Sequence, residues 1–404
     1  MDAEVIVAGG GPAGSATATL LARAGHDVLL LDRARFPRDK ACAEYLSPAT
    51  EDVLARLGAL PAVEAHHPVR PLGMHLIGAH GARALVRYPD GARSRRALCL
   101  PRRLLDATLL EQARAAGVRV VEGWQVHEVV SGRGGQPGIV VGARAVSDAP
   151  GRRKRFTASV LVGADGMRSV VTRVLGLDAA VYWPRRVGLI ARVSGVAAAD
   201  GCGEMYTGRG VYCGLAPLPA GLTNVGLVMD AGLVRGAGGP RGVLRAGLAR
   251  LPGAAARLKA VTYHGPIRGV APLARRVRRV YGDGYLLVGD AAGFLDPFTG
   301  EGVFRALRGA ELAAEVIATA LRRGCTSAAA LAPYAEARRR EFLKKEALCW
   351  VIQGLLRWPP FLAYALRRLA RREAAAAVLG AVLGDYRPAD EALRATVLWE
   401  LLRP

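Results

Sequence analysis

Glu4-Val5-Ile6-Val7-Ala8-Gly9-Gly10-Gly11-Pro12-Ala13-Gly14, a helical stretch to about Ala24, and then Asp27-Val28-Leu29-Leu30-Leu31-Asp32 form the segment that decides the fold. The opening apolar run is too short for a buried helix and reads as a buried strand. It stops at a glycine cluster that opens a helix, and a second strand ends in an acid. Strand, glycine turn, helix and strand make a βαβ unit of roughly thirty residues, the context in which G-x-G-x-x-G is a specific signal. Gly9, Gly11 and Gly14 permit a tight turn, close approach of backbone to a pyrophosphate, and close packing of helix on strand. Pro12 and Ala13 open the helix, whose free N–H groups favour an anion. The Asp32 carboxylate can accept hydrogen bonds from a ribose diol, and Arg33 follows it in the candidate set. A nicotinamide or a flavin dinucleotide suits such a site equally, and a glycine turn in an ordinary α/β protein is the plainer alternative.

Outward from this unit, Leu72–Leu100 holds short extended segments (Met74–Ile77, Ala84–Tyr88, Ala97–Leu100) separated by turns. Pro101 opens a helix through Ala116, and Val118–Val121 returns to the parallel sheet. Gln125–Val130, Ile139–Val146 and Phe156–Val162 read as a small antiparallel meander leading to Gly163-Ala164-Asp165-Gly166. Val187–Val193, Val211–Pro217 and Thr223–Met229 read as strands paired with the earlier extended block. Tyr285–Val288 is a last strong strand before Gly289-Asp290, and the chain is helical from about Gly302 to its end.

Four segments together resemble the flavoprotein hydroxylase superfamily, and within it the geranylgeranyl reductase family of FAD-dependent oxidoreductases, over roughly Met1–Arg323. Phe36-Pro37-Arg38-Asp39-Lys40-Ala41-Cys42-Ala43-Glu44-Tyr45-Leu46-Ser47-Pro48 is similar to the reductases' loop after the second strand. The resemblance implies that Cys42 lies near the isoalloxazine; a small buried hydrophobe is the other reading of this cysteine. Glycine commonly follows the cysteine in relatives, whereas Ala43 and Glu44 stand here. Glu44 reads as a proton donor or, more simply, as a solvated loop charge. Arg102, with Leu105-Asp106, resembles the start of the helix that touches FAD, where a guanidinium can hold phosphates or the ribityl chain. Gly163-Ala164-Asp165-Gly166-Met167-Arg168-Ser169 is similar to the Asp-Gly fingerprint near the FAD pyrophosphate, which in hydroxylases also bears on NAD(P)H use. Gly289-Asp290-Ala291-Ala292-Gly293-Phe294-Leu295-Asp296-Pro297-Phe298-Thr299-Gly300-Glu301-Gly302 is the most specific match. It implies that Asp290 binds the ribityl hydroxyls and that the turn through Pro297, Gly300, Glu301 and Gly302 presents amides to the flavin pyrimidine edge. A helix N-terminus there stabilises the reduced anion.

The resemblance implies an α/β fold: a Rossmann-like FAD-binding domain (parallel sheet with β-meander), a β-sheet substrate domain and C-terminal helices. The expected division is 1–70, 100–180 and 265–325 for the discontinuous FAD-binding domain, 71–99 and 181–264 for the substrate domain, and 326–404 for a helical cap. It further implies hydride transfer through flavin N5 to or from an unsaturated hydrophobic substrate, with NAD(P)H or another donor as reductant. A single-component monooxygenase using NAD(P)H and O2 is the alternative. Hydroxylases usually carry His and Gly-Gln-Gly where Gly293 and Gly300-Glu301-Gly302 stand here. A non-catalytic peripheral flavoprotein is a third reading. Flavin-dependent halogenases share the frame, but of their Trp-x-Trp-x-Ile-Pro signature only Trp183-Pro184 is reminiscent. Tyr206, Tyr212, Phe294 and Phe298 are candidate walls of an apolar substrate chamber, or core.

The 404 residues and 51% hydrophobic content allow two or three domains with large cores and exclude a disordered chain. Six cysteines without a C-x-x-C pair exclude a disulfide scaffold or a zinc finger, and metal-spaced histidine clusters are absent, so no metal is expected. With 56 Lys+Arg against 34 Asp+Glu the formal charge is +22. Arginine-rich bias, attraction to anionic lipid, and attraction to an acidic carrier all account for it; no nucleic-acid signature accompanies it. No export signal or uninterrupted transmembrane run is present. The expected location is cytoplasmic, with Lys344–Arg372 readable either as an interfacial helix pair or as a cap with a solvated basic face.

Overall fold

The computed structural model describes residues 1–131, 141–147 and 153–402. Its centre is a six-stranded sheet in the order Tyr281–Gly282, Tyr285–Leu287, Val160–Gly163, Val5–Ala8, Val28–Asp32, Arg119–Glu122. All neighbours pair parallel except the Tyr281–Gly282 edge. The first strand is apolar at every position because both its faces are covered. Val5 and Val7 face the helices Pro12–Arg23 and Gly302–Arg322 with Leu21, Leu30 and Ile317. Ile6 and Ala8 face the meander side with Leu29, Leu31 and Phe156.

The segment Phe156–Val162, expected as one meander strand, is divided. Arg153–Ala158 closes the three-stranded meander against Val141–Ser147, while Val160–Gly163 leaves it to pair with Val5–Ala8. Ser159 sits between them and donates its N–H to Glu4 O, so the chain changes sheets within one residue. The expected segment Ile139–Val146 starts outside the described residues; from Val141 onward it is the middle meander strand.

A seven-stranded sheet stands over the carboxyl edge of the first: Thr262–Val270, Arg186–Ser194, Leu222–Asp230, Val211–Pro217, Gly203–Gly208, Gly73–Ile77, Arg83–Arg87. Two of its strands, Gly203–Gly208 and Thr262–Val270, are not among those expected, and the second spans the boundary drawn at residue 264. Thr262–Val270 carries exposed residues over most of its length, which hides it from a burial-based pattern. Ala97–Leu100 does not join this sheet; Leu98–Cys99 pairs with Tyr45–Leu46. Among the described residues the chain ends in helices Pro333–Leu356, Pro359–Leu369, Glu373–Leu383 and Ala395–Leu402. Pro359–Leu369 and Glu373–Leu383 pack Ala363, Leu366 and Ala375 on Ala84 and Val86 of the sheet edge. No helix among the described residues is long and apolar enough to cross a membrane.

Candidate functional site

The first glycine turn and three motif acids stand at the carboxyl ends of four adjacent strands: Gly9 after Val5–Ala8, Asp32 at the end of Val28–Asp32, Asp165 after Val160–Gly163, and Asp290 after Tyr285–Leu287. That edge is where open α/β sheets bind ligands. The glycines there have different physical reasons. Gly9 has φ +108°, and a Cβ on it would lie 2.6 Å from Ala164 O. A Cβ on Gly14 would lie 1.8 Å from Gly9 O. A Cβ on Gly11 would meet only Arg38 Nη2, at 3.6 Å, and its backbone is extended (φ −76°, ψ −177°). The protein's own packing therefore demands Gly9 and Gly14 but not Gly11. The space in front of Gly11, beside the uncapped N–H groups of the helix Pro12–Arg23, is a cradle that a side chain would fill and a pyrophosphate fits.

Asp32 is buried and accepts from Gly10 N (2.7 Å) and Ala34 N (2.7 Å), so its carboxylate is held at this turn with acceptor capacity to spare. Arg33 is exposed. Asp165 caps the next turn through Oδ2, accepting from Val170 N at 2.6 Å, while its buried Oδ1 has no partner among the described residues. Asp290 Oδ2 lies 4.0 Å from Lys40 Nζ, and Lys40 also approaches Gly166. Arg102 begins its helix, Arg102–Ala115, as the motif suggests, but the buried guanidinium is committed to Asp106 (Nε to Oδ1 2.7 Å, Nη2 to Oδ2 2.9 Å). Arg38, which also bonds Asp106 (2.9 Å), is the cation that faces Gly11. Arg38 and Lys40 are site residues that the motif reading passed over; both lie in the segment quoted for Cys42, where loop charges carry no periodic signal.

The loop from Asp39 to Tyr45 joins the two sheets. Lys40 touches the cofactor edge, while Asn224 of the strand Leu222–Asp230 donates to Cys42 O (3.0 Å) and the Ala43 methyl approaches Gly226. Cys42 therefore stands at the junction of the cradle and the seven-stranded sheet, its thiol beside Arg102. Glu44 is not a solvated loop charge. It is fully buried, with φ +57°, and its carboxylate accepts from Arg192 Nη2 (2.5 Å), Arg192 Nε (3.2 Å), Asn224 Nδ2 (2.8 Å) and Arg102 N (2.9 Å). A charge removed from water needs such a set of partners; its side-chain partners Arg192 and Asn224 come from strands more than a hundred residues away, which local sequence does not display.

The turn after Asp290 is tied the same way. Buried Asp296 accepts from Tyr212 OH (2.6 Å), Arg186 Nη1 (2.7 Å) and Phe298 N (3.0 Å). Tyr212 also meets Phe298 edge to face at 5.2 Å. Tyr212 is buried in the core with Phe298 packed against it, and Tyr206 is core too, bonded to Glu204 at 3.2 Å. Phe294 lies against Gly302. Burial, followed by the Asp296 charge, holds the Tyr212 phenol well above its ordinary range. Tyr212→Phe removes a bond to a charged acceptor and is expected to cost about 1.5–3 kcal/mol in chemical denaturation of the flavin-loaded protein. Glu301 does not face the turn with its side chain. Its buried carboxylate is drawn to Arg305 (3.2 Å), Cys349 (3.5 Å) and Lys345 (3.7 Å) of the following helices, leaving the backbone amides at Gly302 as what the helix start offers. Lys345 in turn bonds Asp385 at 2.6 Å. Burial alone would depress the Lys345 ammonium, but Asp385 and Glu301 hold it above its ordinary value.

A glycine cradle at the carboxyl edge of a parallel sheet, with acids at three neighbouring strand ends, defines a dinucleotide-binding protein. The FAD binding domain family matches residues 2–346. The menaquinone reductase of Mycolicibacterium smegmatis is 29% identical over 345 residues, 78% of this chain and 76% of the relative. The digeranylgeranylglycerophospholipid reductase of Methanothrix thermoacetophila is 30% identical over 356 residues, 86% of this chain and 85% of the relative. A solved flavoprotein/dehydrogenase from Cytophaga hutchinsonii superposes with TM-score 0.82 at 22% identity over 95% of this chain and 93% of that one. The chain belongs to the FAD binding domain family and, within it, to the geranylgeranyl reductase group of FAD-dependent oxidoreductases. Flavin-dependent halogenases also align with it, so the fold by itself does not choose the reaction.

Proposed function

We propose that this enzyme saturates carbon–carbon double bonds of an isoprenoid or polyprenyl-quinone type lipid, with NAD(P)H or another donor as reductant. The observation that carries the reading is the position of the Cys42 loop, stretched between the cradle and the seven-stranded sheet. Relatives named as reductases of a digeranylgeranyl glycerophospholipid and of menaquinone support the substrate class. When bound and reduced by that donor, FAD would supply the hydride for one alkene carbon, and the other carbon would take a proton.

In this reading the amides at Gly11, Ala13 and Gly14, with Arg38, receive the pyrophosphate, and Asp32 accepts from the adenosine ribose. Asp290 takes the ribityl hydroxyls, with Lys40 beside it. Asp165, Gly289 and Pro297 shape the walls, and Arg33 lies at the adenosine end. Arg102 acts mainly by holding Asp106 and, through it, Arg38. The helix start at Gly300–Gly302 favours negative charge on the flavin pyrimidine edge. Cys42 is the proton-bearing side chain at the junction, and Glu44 positions its loop. The substrate comes from a membrane or an acyl carrier; the positive charge of the chain suits both.

Anaerobic reduction of the purified holoprotein followed by incubation with a polyprenyl lipid is expected to add two mass units per bond reduced. A product sixteen units heavier that requires O2, or a halogenated one, overturns the reductase reading. Cys42→Ala is expected to lower turnover at least about a hundredfold, the lower end of what a positioned acid–base group contributes, with an unchanged flavin spectrum. Full turnover by that variant takes Cys42 out of the mechanism.

A further inference from the structure

The helix Pro333–Leu356 buries Tyr334, Phe342, Leu348, Cys349 and Leu356 against the body of the protein. Its opposite face repeats apolar residues at helical spacing: Leu343, Ala347, Trp350, Val351 and Gly354 are all exposed. Leu343 is 51% exposed, Val351 45%, and beyond the helix end Trp358 is 70% exposed and Phe361 44%. A soluble helix normally shows water a polar face, and apolar surface so concentrated marks a contact site. The face continues onto a distant part of the chain. Trp183 meets Trp350 in a tilted pair with ring centroids 5.4 Å apart, Arg357 lies over Trp183, and Tyr182 beside it is 86% exposed.

Pro184 and Arg185, next in sequence, line a groove of about 510 Å³ that also takes in Arg168, Arg173, Arg275 and Arg276. Only Arg275 is paired with a carboxylate, Asp178 at 2.7 Å. Arg168, Arg173, Arg185 and Arg276 are exposed and make no ion pair among the described residues. An aromatic and aliphatic face, bordered by a cationic groove, reproduces the order of a bilayer surface, where acyl chains adjoin anionic headgroups and the Trp and Tyr polar tips meet the interface. Tryptophan and arginine are the residues such surfaces favour. A second copy of the chain would set these arginines against each other; an anionic bilayer has the opposite sign.

We propose that this face docks on an anionic lipid bilayer, the aromatic stripe entering the acyl boundary and the arginine groove taking lipid phosphates. The purpose of such docking rests on the lipid-reductase reading above, but its test does not. The FAD-loaded full chain is sedimented with phosphatidylcholine vesicles that contain or lack phosphatidylglycerol. Binding is expected to the phosphatidylglycerol vesicles, weakened about fivefold by Arg173→Gln and again by Arg276→Gln. Joint Val351→Ser and Trp358→Ser is expected to weaken it by more than about tenfold, with flavin absorbance and circular dichroism unchanged. No binding, equal binding to both vesicle types, binding that the variants leave intact, or loss of a self-associated species in place of vesicle binding overturns the proposal. Turnover of detergent-dispersed lipid is measured alongside: turnover without vesicle binding removes the docking surface and keeps the reductase, and vesicle binding without turnover does the reverse.

Discussion

Gly14→Ala is expected to abolish FAD retention and to cost more than about 4 kcal/mol of stability, a loss reserved for disruption of a packed element. The new methyl would lie 1.8 Å from Gly9 O, a main-chain atom that no rotamer change can move aside. Relief requires the helix Pro12–Arg23 to withdraw from the strand end. That helix buries Ala13, Ala16, Ala18 and Leu21, so withdrawal spoils the packing between sheet and helices as well as the turn. Gly11→Ala is the matched control. Its methyl meets only a guanidinium end at 3.6 Å, and its backbone is one that alanine adopts freely. The apoprotein is expected to keep its stability within about 0.5 kcal/mol, while FAD affinity falls at least tenfold, or about 1.4 kcal/mol. Urea denaturation and fluorescence titration of the apoproteins make the comparison. Two variants with the same stability loss, or a Gly11→Ala protein that binds FAD normally, would contradict the assignment of the cradle.

Glu44→Ala is expected to cost about 2–3 kcal/mol, because it leaves the buried donors Asn224 Nδ2 and Arg102 N without their acceptor, while Arg192 keeps Asp39 at 2.9 Å. Four hydrogen bonds from three separate elements end on that one carboxylate. Glu44→Gln keeps the volume and one acceptor oxygen and is expected to lose less stability. As a positioning residue for the Cys42 loop, its glutamine variant should lower kcat while leaving KM and the FAD affinity near those of the parent. A glutamine variant with unchanged kcat, at a temperature where it is fully folded, would reduce Glu44 to a purely structural tie between the sheets.

The cofactor cradle was legible because its physics is local. Gly9, Gly11, Gly14 and Asp32 lie within one βαβ unit, and a strand followed by a glycine turn and a helix N-terminus presents an anion site wherever it folds. Asp290 and the glycine turn after it were legible for the same reason. Glu44 was misjudged as a solvated charge because its burial depends on Arg192 and Asn224, which the loop does not announce. Arg102 carried the right motif, yet its guanidinium is spent on Asp106, and Arg38 faces the cradle in its place. Phe156–Val162 looked continuous because an apolar run contains no mark of the residue at which a chain leaves one sheet for another.

By itself the sequence determined a dinucleotide-binding α/β architecture and the strand ends that serve it, since apolar periodicity and glycine stereochemistry act over a few residues, and its resemblance to a known family implied that the dinucleotide is a flavin. Only the tertiary structure decided which charges are buried and paired, where the Cys42 loop stands between the sheets, and which apolar helix face stays open to a partner. Those properties depend on contacts between residues far apart in the chain, and the free energy of a buried charge is set by partners that come within reach only after folding.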